Sequence, residues 1–257
     1  MRYYGGKSRH GKQISEILKH IVESYPEKIK GYIEPFCGAL GVLKHMTKDN
    51  NLKCYASDIN RDLILLWKDV QTSKFKNPNI TKTKWKKLKY DDIPSSERAF
   101  AGFGCSFGGQ WFSGYINNKE DNKKSYTTLK KIQPLLENVC FSNKDYIKWN
   151  YKVSSGGYLI YCDPPYYSKY NRFGNDFDFD HVLFKKTITE WVKDGNVVVV
   201  SETSKKFIPK DFIRIWEKSI VHGMGNVHNK KENYKESLYV GASPSLLILL
   251  CPRNFKN

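Results

Sequence analysis

The chain has 257 residues, room for one large α/β domain with an insertion, and its 43 Lys and Arg against 26 Asp and Glu leave a formal charge of +17. That balance suits a polyanionic partner, although ribosomal, membrane-surface and ordinary basic proteins share it. Six cysteines without a C-x-x-C pair read as reduced thiols, and neither a secretory start nor an apolar run of bilayer length is present, so a soluble intracellular protein with no membrane association is expected.

Arg2-Tyr3-Tyr4-Gly5-Gly6-Lys7 opens the chain, ahead of a helix-period segment from about Lys12 to Glu23 with Ile14, Ile17, Leu18 and Ile21 on one face. A Gly-Gly turn lets backbone amides approach an anion and Lys7 adds a point charge; the same residues also read as a flexible basic terminus. Next, Gly31 to Val42 forms a short strand that breaks at Pro35 and turns through Gly38 and Gly41 into a helix, an arrangement suited to a ligand carrying a nucleoside and a carboxylate. The strand Leu52 to Ser57 then ends in Asp58-Ile59-Asn60, before a helix through Leu63, Ile64, Leu66, Trp67 and Val70. Asp58 is placed to bind ribose hydroxyls, or to cap that helix.

From Ser73 to Glu137 the pattern changes. Residues 74–89 hold seven lysines with Trp85 and no acid, unusual for a packed helix, and Phe100 to Tyr115 interleaves aromatics with glycines. Such a stretch fits a surface that touches phosphates and wedges or stacks bases, or else a solvated linker with a small satellite core. The α/β pattern resumes at Val139-Cys140-Phe141, with Asp145 beyond it. Tyr158 to Cys162 is an apolar run behind Gly156-Gly157 and reads as a buried strand that two prolines must end. It delivers Asp163-Pro164-Pro165-Tyr166 to its carboxyl end, where open α/β sheets place ligands. There Asp163 and the Pro164 carbonyl can each accept one N–H of an exocyclic amine, while Tyr166 stacks on the ring that carries it. Residues 171–180 read as a loop closing over a site or as an acidic lead-in to a helix from Asp180 to Lys193. Asn196 to Ser201 reads as a central parallel strand, and Ile213 to Lys218, Ser237 to Val240 and Leu246 to Leu250 are three further strand candidates.

Taken together, these residues resemble the Dam-like DNA adenine-N6 methyltransferases, the alpha-type amino-methyltransferase family. Tyr3, Gly5, Gly6 and Lys7 meet its aromatic-x-Gly-Gly-Lys opening, Glu34-Pro35-Phe36 with Gly38 its Glu-Pro-Phe-x-Gly, Asp58-Ile59-Asn60 its Asp-Ile-Asn, and Asp163 to Tyr166 its Asp-Pro-Pro-Tyr. Glu236-Ser237-Leu238 is a weaker echo. Family members often continue Gly-x-Gly where this chain has Gly38-Ala39-Leu40-Gly41, so the second glycine is displaced by one.

The resemblance implies an α/β class I S-adenosylmethionine-dependent methyltransferase fold, a mostly parallel doubly wound sheet. It implies a catalytic domain over 1–72 and 138–257 and a target-recognition region over 73–137. It also implies S-adenosylmethionine as methyl donor, held by Tyr3, Lys7, Phe36, Gly38 and Asp58, with Asp145 toward its adenine. No metal is expected. The activity implied is methylation of a flipped adenine in DNA through Asp163, Pro164, Pro165 and Tyr166. RNA adenine, a cytosine amine, or a catalytically silent nucleic-acid-binding scaffold are the alternatives. A restriction endonuclease partner, the oligomeric state and the recognition sequence stay open.

Overall fold

Helix and strand periods sort most of the chain as expected. Ile14, Leu18 and Ile21 recur at intervals of four and three and are fully buried on α1 (Gly11–Ser24). In the computed structural model, which describes residues 1–48, 52–166, 179–221 and 233–249, there follow β1 (Gly31–Glu34), α2 (Leu43–Met46), β2 (Lys53–Asp58), α3 (Arg61–Gln71), α4 (Lys82–Lys89), α5 (Ser96–Ala99), α6 (Lys119–Ile132) and β3 (Val139–Asn143). The second part of the chain adds α7 (Asn150–Val153), β4 (Tyr158–Cys162), α8 (His181–Lys193), β5 (Val197–Glu202), β6 (Ile213–Val221), β7 (Asn233–Gly241) and α9 (Pro244–Leu249). The strands form one seven-stranded sheet in the order β3-β2-β1-β4-β5-β7-β6. β2 with β3, β1 with β4 and β4 with β5 run parallel, while β7 is antiparallel to both β5 and β6. A parallel sheet ending in that reversed pair is the α/β methyltransferase fold.

The chain divides into two compact units, and each has its own logic. The first comprises Met1–Lys19 and Glu34–Lys148. Here α3 starts at Asn60, whose side chain accepts the Leu63 amide, and buries Leu63, Ile64, Leu66, Trp67 and Val70. Residues 73–137 lie within this unit. Their lysine-rich part does form a packed helix: Thr81 caps α4, and Trp85 and Leu88 supply its buried stripe. Its Trp85 indole donates to the Ala101 carbonyl at 3.1 Å and to Ser106 Oγ at 2.9 Å. Most aromatics of the Phe100 to Tyr115 stretch turn inward as well, since Phe100, Phe103 and Phe112 are buried and Trp85 and Phe112 meet at 5.2 Å. The satellite core anticipated for this stretch is therefore real, and what it leaves outside is chiefly Phe107, 66% exposed. A buried ion pair fastens the whole to α3: Arg98 Nη1 lies 2.7 Å from Asp62 Oδ2, and Asp62 Oδ1 accepts the Ser95 amide at 2.7 Å.

The second unit comprises His20–Ile33 and Trp149–Asn257. Every residue of β4 and β5 is buried, which is why both read as unbroken apolar runs rather than alternating ones. Asn196 ties the start of the two strands together, accepting the Tyr158 amide and donating to the carbonyls of Val153 and Trp191. Helix α8 begins at its Asp180 cap and buries Phe184, Ile188 and Trp191.

One strand candidate is corrected. Ile213 to Lys218 and Ser237 to Val240 fall in β6 and β7, but Leu246 to Leu249 belongs to the helix α9. A short apolar run does not distinguish the two states by period, and Pro244 at the first helical position, with Ser243 accepting the amides of Leu246 and Leu247, favours the helix. Leu250, Cys251, Tyr167 and residues 171–178 lie outside the described residues. Among the described residues no helix is long and apolar enough to cross a membrane.

Candidate functional site

The first unit gathers the donor residues around the loop after β1. Pro35 stops the strand, and the Cys37 amide reaches the Ser57 carbonyl at 2.9 Å while Ser57 Oγ donates to the Pro35 carbonyl at 3.2 Å, so the loop is laced to the end of β2. Gly38 then turns with φ +45°. Its amide donates to Asp58 Oδ2 at 3.1 Å and its carbonyl accepts the Trp67 indole at 2.9 Å. Leu40 takes φ +57°, the left-handed conformation that a Gly-x-Gly sequence would give to glycine, at a cost of about 1–2 kcal/mol. Complete burial of its side chain offsets that strain. The displaced glycine, Gly41, has its own reason: a Cβ there would lie 3.0 Å from the Lys7 amide nitrogen, so it admits the N-terminal segment.

Asp58 is not the cap of α3, a role that Asn60 fills. Its two oxygens accept the amides of Gly38 and Asn60, at 3.1 and 2.9 Å, which aims the carboxylate across the glycine loop. Burial raises its pKa above the ordinary aspartate value, and backbone hydrogen bonds from Asn60, Gly38 and Ile59 oppose that rise. Beside it Ile59 is 50% exposed. Phe36 packs on Tyr146 with ring centroids 5.2 Å apart. Asp145 Oδ1 accepts the Ile147 amide at 2.9 Å and so shapes the short turn that carries Tyr146. The Tyr3 ring rests on Gly38, where a Cβ would come within 3.2 Å of it, and its other neighbour is Phe103 at 4.7 Å. Lys7 is buried, with Nζ 3.4 Å from the Gly5 carbonyl. Tyr3, Gly38 and Asp58 thus form one chain of contacts, with the Phe36–Tyr146 stack and Lys7 held against the same loop. A half-buried carboxylate, an apolar side chain next to it and a backbone cradle that a Cβ at position 38 would crowd fit a nucleoside-bearing donor.

The second unit carries the Asp-Pro-Pro-Tyr turn. Its two prolines have no N–H and end the strand. Pro164 is buried and Pro165 exposed, while Asp163 and Tyr166 are half-buried. The Tyr166 hydroxyl lies 2.9 Å from Ser201 Oγ and 3.2 Å from Glu236 Oε1, and Ser201 donates to the same Glu236 oxygen at 2.7 Å. Burial, with the Asp163 and Glu236 carboxylates nearby, pushes the Tyr166 phenol well above its ordinary pKa, so it stays protonated and donates.

Three contributors carried no site signal in the sequence, Trp67, Tyr146 and Ser201, and Glu236 stood only in the weaker Glu236-Ser237-Leu238 echo. Trp67 and Tyr146 look like ordinary core aromatics. Among the described residues no cluster of three or more His, Cys, Asp or Glu side chains could hold a metal ion.

Comparison with known proteins bears on both units. No curated protein sequence matches the chain. Solved structures that overlap it include the rRNA methyltransferase aviRa from Streptomyces viridochromogenes (12% identity, 92% of this chain and 86% of that chain, TM-score 0.42). They also include yhhF from Escherichia coli, a suggested methyltransferase (10% identity, 88% and 85%, TM-score 0.38), and a conserved hypothetical protein from Streptococcus pyogenes (10% identity, 86% and 93%, TM-score 0.34). These overlaps are loose, and the fold assignment rests on the strand order itself. The sequence speaks more specifically: residues 3–96, which hold Tyr3, Lys7, Phe36, Gly38 and Asp58, are similar to the D12 class N6 adenine-specific DNA methyltransferase family, and the strand order is that of the methyltransferase fold.

Proposed function

We propose that the chain transfers a methyl group from S-adenosylmethionine to the N6 amine of an adenine flipped out of double-stranded DNA. The observation that carries this reading is the Asp163-Pro164-Pro165-Tyr166 turn, which leaves the buried strand β4 with a carboxylate, a carbonyl and an anchored aromatic ring in succession. Asp163 and the Pro164 carbonyl accept the two amine hydrogens, which favours a tetrahedral nitrogen with its lone pair free of the ring. Tyr166 stacks on the base. Once bound, the donor supplies an electrophilic methyl group on its sulfonium. An amine that gains a methyl must lose a proton, and the Asp163 carboxylate that already accepts its hydrogen bond is the acceptor at hand.

Tyr3, Lys7, Phe36, Gly38 and Asp58 hold the donor in this reading, Asp58 through the ribose hydroxyls, with Asp145 toward the adenine. Exposed lysines on α4 (Lys82, Lys86, Lys87 and Lys89) contact DNA phosphates, whereas Lys84 is engaged by Glu97 at 2.5 Å. Phe107 and its neighbours at the turn face the bases.

The test is direct. Unmodified DNA incubated with the protein and labelled donor, then digested to nucleosides, is expected to yield N6-methyladenine within one short sequence and no methylcytosine. Methylcytosine as sole product would overturn the adenine assignment, and label entering only RNA or protein would overturn the DNA substrate.

A further inference from the structure

The far end of Tyr166, the last residue of the Asp-Pro-Pro-Tyr turn, is tied into the sheet. The tie is made by Ser201, which no motif singles out, and Glu236, which stands in the weaker Glu236-Ser237-Leu238 echo. Ser201 lies in β5, directly opposite Leu238, and Glu236 sits two residues from Leu238 on β7, so the two side chains are diagonal neighbours on one face of the antiparallel pair. Ser201 is completely buried and Glu236 is 3% exposed. The register Cys162↔Val200 brings Asp163 level with Ser201.

Each hydroxyl has a single hydrogen, and an ionised carboxylate only accepts. The short 2.7 Å contact is Ser201 donating to Glu236 Oε1. That spends the serine's proton and leaves its oxygen as acceptor for the Tyr166 hydroxyl at 2.9 Å, with the 3.2 Å contact to Glu236 as the weaker branch. The chain of hydrogen bonds therefore runs one way, from Tyr166 to Ser201 to Glu236, with the carboxylate as its end. A tyrosine ring pinned at its hydroxyl and at its backbone has lost its freedom to swing about χ1.

We propose that Ser201 and Glu236 are positioning residues for Tyr166, which hold its ring in the plane that receives the target base. The inference rests on the reading of Tyr166 as the stacking partner of the flipped base. It explains why a carboxylate is buried in β7, where a charge is costly unless it is hydrogen-bonded. Its effect falls on the aligned complex rather than on donor binding, because the donor residues lie on other elements.

A double-mutant cycle tests this. Glu236→Ala is expected to lower kcat about tenfold with the KM for DNA and the donor dissociation constant within about twofold, and Glu236→Gln, which keeps an acceptor oxygen, to recover most of the loss. Tyr166→Phe keeps the ring and loses the tether. In that background Glu236→Ala is expected to cost less than about a further twofold. An equal loss in both backgrounds, or a loss that follows the melting temperature, would make Glu236 merely structural. Wild-type label in DNA tests the underlying function separately, and the cycle is run on whichever polymer takes the label. A readout without turnover covers the case in which none does: the Tyr166 hydroxyl proton, followed by NMR in ring-labelled protein, should exchange at least about tenfold faster in Glu236→Ala and Ser201→Ala. Unchanged exchange in both would overturn the proposal.

Discussion

The residues proposed to hold the donor and those proposed to hold the amine are built in opposite ways. Around Gly38 the contacts are mostly backbone: amides to Asp58 and Ser57, carbonyls to Trp67 and Ser57, and two positive φ angles within three residues. Most of its parts come from one stretch of chain between Glu34 and Trp67. Around Tyr166 the contacts are between side chains, drawn from residues 166, 201 and 236 on separate elements. A backbone cradle recognises a cofactor that never varies, and its geometry is fixed by local turns. The Tyr166 ring, which in the proposed function meets a flipped base, is held by long-range packing, where one side chain can be removed without unmaking a turn. Substitutions should therefore separate cleanly, with the donor side moving affinity and the amine side moving turnover.

The sharpest way to break that contrast is Asp163→Ala. Loss of the acceptor for the amine is expected to reduce methyl transfer by on the order of 10³-fold or more, while calorimetric titration with the donor finds its dissociation constant within about threefold of wild type. A large change in donor affinity would merge the two halves.

Asp58→Ala is the counterpart. It should weaken donor binding by about 1.5–3 kcal/mol, the range for a hydrogen bond to a charged group, with little change in kcat at saturating donor. Titration gives a further handle. Because burial raises the pKa of Asp58, its carboxylate is lost on acidification at a pH above the ordinary aspartate range, so donor affinity should already fall there and hold steady at higher pH. The Asp58→Ala protein should lack that limb, and a wild-type affinity flat down to the usual aspartate range would remove Asp58 from the ribose.

Gly38→Ala is a milder probe of the same side. A Cβ there meets the Tyr3 ring at 3.2 Å and must adopt φ +45°, so a penalty of about 1–2 kcal/mol on loop geometry is expected, read as weaker donor binding with turnover at saturation preserved. Equal affinity would show that Tyr3 gives way.

This asymmetry also explains how much the sequence revealed. The glycine loop, Asp58 and the Asp-Pro-Pro-Tyr turn were legible because each is a local pattern whose chemistry is carried by adjacent residues, and the unbroken apolar runs of β4 and β5 announced buried parallel strands. The Ser201–Glu236 anchor was not, since nothing within either strand reports a partner 35 residues away. Leu246 to Leu249 misled for the converse reason: its apolar run is shorter than the period that separates strand from helix, and Pro244 decided the matter. The inserted stretch was legible in composition but not in burial. Interleaved glycines suggested loops, whereas packing against Trp85 drew Phe100, Phe103 and Phe112 inside.

The lysines of α4 belong to neither half, and they give the smallest effect per residue. Trp85 and Leu88 fix which face of the helix is buried, and Lys82, Lys86, Lys87 and Lys89 are left exposed. Lys84 is the internal control, because its ammonium already pairs with Glu97. A lysine that touches phosphate releases a condensed counterion on binding, so replacing Lys82, Lys86 and Lys87 with Gln one at a time should each flatten the plot of log K against log salt by roughly 0.9, for every duplex sequence alike. Lys84→Gln should change the slope less than any of them, since its charge is partly spent within the protein. Donor affinity and the turnover of saturated complex should not move in any of the four. A slope change as large at Lys84 as at Lys86 would mean that net charge, and not this helix face, binds the DNA; a loss confined to one sequence would turn the helix from a backbone contact into a reader of bases.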